Sequence, residues 1–165
     1  MRLAKRFVVL LVVLFATVGC DQATKSLAQR HLMDAPTRSF LNGTVSLHYA
    51  ENPGAFLSLG AALPAHLQSI IFTLLVAVIL GALFIYSVRE LSRAHTTIVV
   101  ALALFLGGGI GNLIDRVTND GRVIDFMHIG VGFVQTGIFN VADMALMAAV
   151  ALLALHSYRT WRLQT

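Results

Sequence analysis

Four apolar runs, separated by short polar segments, leave this chain very few ways to fold. Leu67 to Val88 carries no formal charge. Thr96 to Ile114 carries none either and stops at Asp115, and Ile138 to Tyr158 has a single acid, Asp143, near its start. About 20 apolar residues cover the hydrocarbon core of a bilayer, so each of these three runs is long enough to span. The remaining run, Phe7 to Cys20, has 14 residues, or about 21 Å as helix. Taken with Arg2, Lys5 and Arg6 before it and Gly19-Cys20 at its end, it has the look of a lipoprotein signal peptide. It becomes a span if the helix continues through Asp21, Ala23, Thr24, Lys25, Leu27 and Ala28, where nothing breaks a helix. Asp21 and Lys25, four apart, share a face and can pair, and Lys25 can snorkel to the interface. Thr17 stands where a lipobox has leucine. The expectation is therefore four spans.

Composition agrees: 12% of the 165 residues are charged and 57% are hydrophobic, against about 25% charged in a soluble domain. The expected fold is an all-α polytopic membrane protein of four transmembrane helices, with a small extracytoplasmic β-sheet and a short interfacial helix. It forms one integral membrane domain over residues 1–165. The spans are expected near 6–27, 67–88, 96–115 and 138–158, and the outer segments at 28–66 and 116–137.

The basic residues give the orientation. Arg2, Lys5, Arg6, Arg89, Arg93, Arg159 and Arg162 fall at the termini and the middle loop, opposed there by Glu90 alone. The other side holds five bases and seven acids. The positive-inside rule then puts both termini of a multi-pass protein in the cytoplasm. These short clusters between apolar runs are no nucleic-acid footprint, despite a sequence pI of about 9.8.

On the outer side, Thr44 to Ala50 alternates Val45, Leu47 and Tyr49 on one face, a strand pattern. Pro53-Gly54 marks a turn, and Ala61 to Ser69 is the expected interfacial helix. Asn119-Asp120-Gly121 is a second turn signal, with a short strand expected over Val123 to Met127.

The chemistry lies in the acids. Asp115 ends the third span, Asp143 lies five residues into the fourth, and Asp125 lies on the segment between them. Three carboxylates thus converge on one depth, where ionisable groups are expensive and usually functional. Two carboxylates sharing a site hold one proton between them. The charged one can take a proton from water and the neutral one can donate to a carbonyl oxygen. Asn52, Asn112, Asn140 and Arg116 supply amides and a guanidinium for orientation or charge stabilisation. Spacing leaves Asp115 in contention with Asp125 and Asp143, and an anchor pairing Asp115 with Arg116 is the plain alternative.

A proton-coupled carrier is the alternative function. It needs a polar path to the cytoplasm, yet Met144 to Leu155 and Ile98 to Leu106 are wholly apolar. The six histidines form no HExxH pair and there is one cysteine, so neither a metal centre nor any other cofactor is expected. Gly107, Gly108, Gly109 and Gly111 sit in a span and fit close helix packing better than a phosphate loop.

Read together, the blocks DQATK (Asp21 to Lys25), ENPGAF (Glu51 to Phe56), GNLIDR (Gly111 to Arg116), GRVIDF (Gly121 to Phe126) and FNVAD (Phe139 to Asp143) resemble the lipoprotein signal peptidases, or signal peptidase II, over essentially the whole chain. The resemblance implies Asp125 and Asp143 as the catalytic pair, with Asp115 in support. It implies that Asp21, Asn52, Gly54, Asn112, Arg116, Asn140 and Ala142 line or brace the site, and Lys25 is expected in support beside them. It further implies an aspartic endopeptidase of the bacterial inner membrane that acts on diacylglyceryl-modified prolipoproteins at the membrane surface, cutting before the lipidated cysteine and binding globomycin; a monomer is expected. Two features depart from the family pattern. NPGAF stands where N-x-GAAF is usual, and the Thr118-Asn119-Asp120 turn is one residue longer.

Overall fold

The computed structural model describes residues 3–53 and 64–163. Four long helices carry the chain: α1 (Leu3–Leu32), α2 (Ala65–Glu90), α3 (Thr96–Thr118) and α4 (Val141–Arg162). All four are long and apolar enough to cross a membrane. Their outward faces are apolar, as at Val12, Phe15, Val78 and Met147, which suits lipid as solvent. The chain is thus a multi-pass membrane protein of mostly helical architecture with a small antiparallel sheet.

The short first run is resolved by α1 itself. The helix continues past Cys20 to Leu32, about 45 Å in all. It buries Asp21 and Lys25 on the same face as Leu10, Leu14, Thr17, Ala28 and Leu32. Lys25 does not snorkel outward, because two carboxylates hold it inside. α4 begins at Val141, with Asn140 as its N-cap. Asp143 therefore sits in the first turn, shallower than a start at Ile138 implies. α2 runs unbroken from Ala65 into its span. Of the expected interfacial helix, residues 61–63 lie outside the described residues, and the rest opens α2.

α3 is the axis of the bundle and packs against each of the other three helices. Two glycines make the closest approaches possible. A Cβ on Gly108 would lie 2.5 Å from the Ala142 carbonyl oxygen on α4, and one on Gly111 would lie 2.5 Å from Asp21 Oδ2 on α1. One end of the bundle has an apolar core of Leu10, Leu14, Leu80, Leu91, Val99, Ala103 and Leu106. There Arg6 donates to the carbonyls of Leu91 and Ser92 in the α2–α3 turn.

The sheet covers the other end. Strands β1 (Arg38–Phe40), β2 (Val45–Asn52), β3 (Val123–Val131) and β4 (Val134–Gln135) pair in that order, antiparallel throughout. Leu47 and Tyr49 turn toward Ala28, Leu32 and Phe126 and seat the sheet on α1. The register places Ala50 opposite Asp125 and Asn52 opposite Val123, after a bulge between Leu47 and Ala50. β3 runs to Val131, four residues beyond the expected Met127, because β4 pairs with its far end.

Candidate active site

Asp125 and Asp143 meet where β3 passes the start of α4. Paired hydrogen bonds between Met127 and Phe139 tie the segment before α4 to β3, so the N-cap residue Asn140 lies beside Asp125. Asn140 serves both acids. Its Nδ2 donates to Asp125 Oδ1 at 2.7 Å and its backbone N–H to Asp143 Oδ2 at 3.1 Å. Its Oδ1 accepts from the Asp143 N–H at 2.9 Å, closing a capping box. The remaining oxygens are also held, Asp125 Oδ2 by Asn52 Nδ2 at 3.0 Å and Asp143 Oδ1 by Asn112 Nδ2 at 3.0 Å.

A second layer lies beneath. Lys25, 2% exposed, donates to Asp21 Oδ2 and Asp115 Oδ2, both at 2.8 Å, and to Asn112 Oδ1 at 2.9 Å. Asp21 Oδ1 accepts the Ala142 N–H of the first α4 turn at 2.9 Å. Asp115 Oδ2 accepts the Ile124 N–H at 3.0 Å, next to Asp125. The expected pairing of Asp21 with Lys25 is present. Asp115 pairs with Lys25 rather than with Arg116, whose guanidinium instead donates to the Asn112 carbonyl at 3.2 Å. Arg116 also borders a cavity of about 370 Å³ with His66, Ser69, Thr73 and Asp120.

Of the eleven expected site residues, the structure gathers ten in two connected layers; Gly54 lies outside the described residues. Gln22 was not singled out from the sequence, yet its Nε2 donates to Asp115 Oδ1 at 2.9 Å and to the Gly111 carbonyl at 3.1 Å. Its signal was available in DQATK, where Gln22 stands beside Asp21 and three before Lys25.

The electrostatics separate the two acids' surroundings. Asp125 is buried, and burial pushes its carboxyl up to about 6; the amide of Asn52 opposes the shift and the charge of Asp143 adds to it. Asp143 is half-buried and borders a cavity of about 490 Å³ lined by Thr136, Gly137, Ile138, Phe139, Met144 and Met147. Met144 and Met147 are exposed on the outward face of α4, so this largely apolar cavity opens toward lipid. Among the described residues, no three His, Cys, Asp or Glu side chains are placed to hold a metal ion. The arrangement is one of two carboxylates bridged by a single asparagine, open to an apolar approach on one side.

Residues 13–159 match the family model described as Signal peptidase (SPase) II. The chain is 34% identical over 157 residues to a lipoprotein signal peptidase of Leifsonia xyli subsp. xyli (strain CTCB07), covering 92% of this chain and 68% of the relative. It is 34% identical over 150 residues to the lipoprotein signal peptidase of Streptococcus pneumoniae (strain ATCC BAA-255 / R6), covering 90% and 91%. A solved bacterial membrane enzyme, determined by the in meso method at 1.9 Å resolution, superposes with a TM-score of 0.71 at 26% identity, covering 89% of this chain and 90% of that one. The carrier reading gives way to these matches: the chain belongs to the signal peptidase II family, and it is a peptidase of the aspartic type.

Proposed function

We propose that this peptidase removes the signal peptides of diacylglyceryl-modified prolipoproteins, cutting before the lipidated cysteine with Asp125 and Asp143 as its catalytic pair. The observation that carries the reading is Asn140, which holds one oxygen of each acid at the sheet-covered end of a membrane bundle. A substrate signal helix lies against the spans, and its lipid stays in the bilayer beside the cavity at Asp143. Asp125, whose buried carboxyl favours the protonated form, is the acid. Asp143, reached from the cavity, is the base.

Asp143 takes a proton from a water lying between the two carboxyls. The resulting hydroxide attacks the scissile carbonyl carbon while Asp125 donates its proton to the carbonyl oxygen. The product is a neutral gem-diol. Asp143 then delivers its proton to the amide nitrogen, the C–N bond breaks, and a diol proton returns to Asp125. One water is consumed and the pair regains its starting protonation. Asn52 and Asn112 keep the outer oxygens of the two acids in place through the cycle. The reading makes the chain a monomer of one membrane domain, with both termini in the cytoplasm. The bases Lys5, Arg6, Arg89, Arg93, Arg159 and Arg162 at the bundle end away from the sheet support that orientation.

The test uses purified protein in detergent, with a diacylglyceryl-modified prolipoprotein and its unlipidated form. Lipid-dependent release of the mature protein is expected, abolished by Asp125→Asn or Asp143→Asn and only reduced by Asp115→Asn. Activity retained in Asp125→Asn but lost in Asp115→Asn would identify a different pair. A trapped acyl-enzyme would overturn the water mechanism.

A further inference from the structure

We infer that Lys25 is a positioning residue for this reaction: by holding the Asn112 side-chain oxygen, it turns the Asn112 amide so that its NH₂ faces Asp143. The inference deepens the proposed reaction and rests on the Asp125–Asp143 assignment.

An asparagine amide can sit in either of two orientations, and its neighbours decide between them. At Asn112 the choice is made by donors. Lys25 Nζ approaches Oδ1 at 2.9 Å and Asn140 Nδ2 approaches the same oxygen at 3.1 Å. A lysine ammonium has no acceptor capacity, so an NH₂ group cannot occupy that position without meeting N–H against N–H. Asn112 Nδ2 is thereby directed to Asp143 Oδ1 at 3.0 Å. Asn140 alone is a weaker guide, because its NH₂ is also shared with Asp125 Oδ1 and the Ile124 carbonyl.

Lys25 can perform this role because it is itself immobile. All three of its protons have acceptors, two on carboxylates and one on Asn112. Its two carboxylate partners are anchored in turn, Asp21 to the first turn of α4 and Asp115 to the β3 peptide next to Asp125. Lys25 therefore joins α3, which carries Asn112, to α4 and β3, which carry Asp143 and Asp125. The charged groups around it are Asp21 on α1, Asp115 and Arg116 on α3, Asp125 on β3 and Asp143 on α4. Removing its positive charge leaves the carboxylates uncompensated and makes ionisation of Asp125 harder.

The test compares wild type, Lys25→Met, Asn112→Ala and the double variant on the lipidated substrate. Lys25→Met is expected to lower kcat about a hundredfold, with KM changed less than about threefold, since a misplaced reacting group is felt in turnover. The alkaline limb of its kcat/KM profile is expected to move to higher pH, which a loss of folded protein would not produce. The double variant is expected to lose no more kcat than Asn112→Ala alone, because both changes break the same Lys25–Asn112–Asp143 link. Where Lys25→Met does not yield monodisperse protein, Asp21→Asn/Lys25→Met, which preserves the net charge of the cluster, takes its place with the same expected kcat loss. Losses that multiply in the double variant, or a pH profile identical to wild type, would overturn the inference. A wild type that cleaves and loses activity in Asp125→Asn and Asp143→Asn, alongside a Lys25→Met that keeps its kcat, would overturn the inference alone. A wild type that does not cleave would remove the proposed function itself.

Discussion

The two ends of the bundle are held together by different forces. At the end away from the sheet, Leu10, Leu14, Leu80, Leu91, Val99, Ala103 and Leu106 make an apolar core. At the sheet end, buried Asp21, Lys25, Asn112, Asp115, Asp125 and Asn140 make a connected polar one. α3 passes through both, with Val99 to Leu106 in the first and Asn112 and Asp115 in the second. In lipid an apolar core gains little from excluding solvent, because the surroundings are as apolar as leucine; shape alone holds it. A polar core in the same medium is directional, and every unmade bond is expensive. The difference teaches why the reactive groups sit where they do. The polar end fixes atoms at hydrogen-bond precision, whereas the apolar end only has to keep α1, α2 and α3 together.

The sharpest way to test that contrast is at the pair itself. Asp125→Asn and Asp143→Asn change no volume. Each is expected to lower kcat per folded molecule about a thousandfold or more, with a lowered thermal midpoint by differential scanning fluorimetry, because the new NH₂ faces a donor that the carboxylate oxygen accepted from. Gly111→Ala probes the polar core from behind. Its Cβ would lie 2.5 Å from Asp21 Oδ2, so the carboxylate must move away from Lys25 and from the Ala142 N–H. A destabilisation of about 2 kcal/mol is expected, with a fall in activity per folded molecule that the same change at exposed Gly19 would not cause.

The contrast also explains what could be read in the sequence. Spans, strands and turns follow local patterns, so the four helices, β2 and the start of β3 were legible. So was Asp21 with Lys25, because four residues on a helix is a local distance. The third member, Asp115, lies far along the chain from Lys25, and its nearest cation in sequence, Arg116, was the natural but incorrect partner. Gln22 was overlooked for the same reason, since its acceptors lie on α3. The start of α4 was placed by hydrophobicity at Ile138, whereas Asn140 and Asp143 form a capping box that marks Val141 as the first helical residue. β1 and β4, of three and two residues, are too short for any periodicity and exist because β2 and β3 offer them edges.

A smaller effect lies in pH. Burial raises the Asp125 carboxyl to about 6. With Asp125 protonated in the active free enzyme, kcat/KM falls as pH rises through that value. The profile of kcat is expected to keep its alkaline limb at higher pH, because bound substrate displaces water and disfavours the charged form further. Stability follows the same sign. The contribution of Asp125 is most favourable below about 3.8, the unshifted value, and declines until pH passes about 6. Rates measured from pH 5 to 8 with subsaturating and saturating substrate separate the two limbs. An alkaline limb at the same pH in both would mean that substrate does not dry the site.

At the apolar end, Leu106→Ala is expected to destabilise by about 2 kcal/mol, since Leu106 is fully buried and the gain in cavity is not offset by lipid. kcat per folded molecule should stay within about twofold of wild type, because no reacting group is held by that core. A large kcat loss here would erase the distinction between the two ends.

The smallest expected effect is at the rim of the sheet, where polar contacts are present but wet. Arg122 Nη1 meets Glu51 Oε2 at 3.0 Å, and Tyr49 Oη donates to Glu51 Oε1 at 2.9 Å. Arg122 first and Tyr49 second hold the Glu51 carboxyl below its usual range. That stabilisation is present at neutral pH and is lost as pH falls through the lowered value. Yet the Arg122 side chain is 55% exposed, so solvent and salt screen the pair, and Arg122→Gln is expected to cost at most about 0.5 kcal/mol. The pair nevertheless bridges β2 and β3 one residue from Asn52, which holds Asp125 Oδ2. If Arg122→Gln lowered kcat tenfold at unchanged stability, the rigid region would extend beyond the buried layers to the exposed strand edge. Register between β2 and β3, rather than burial alone, would then be what aligns Asn52 with the acid.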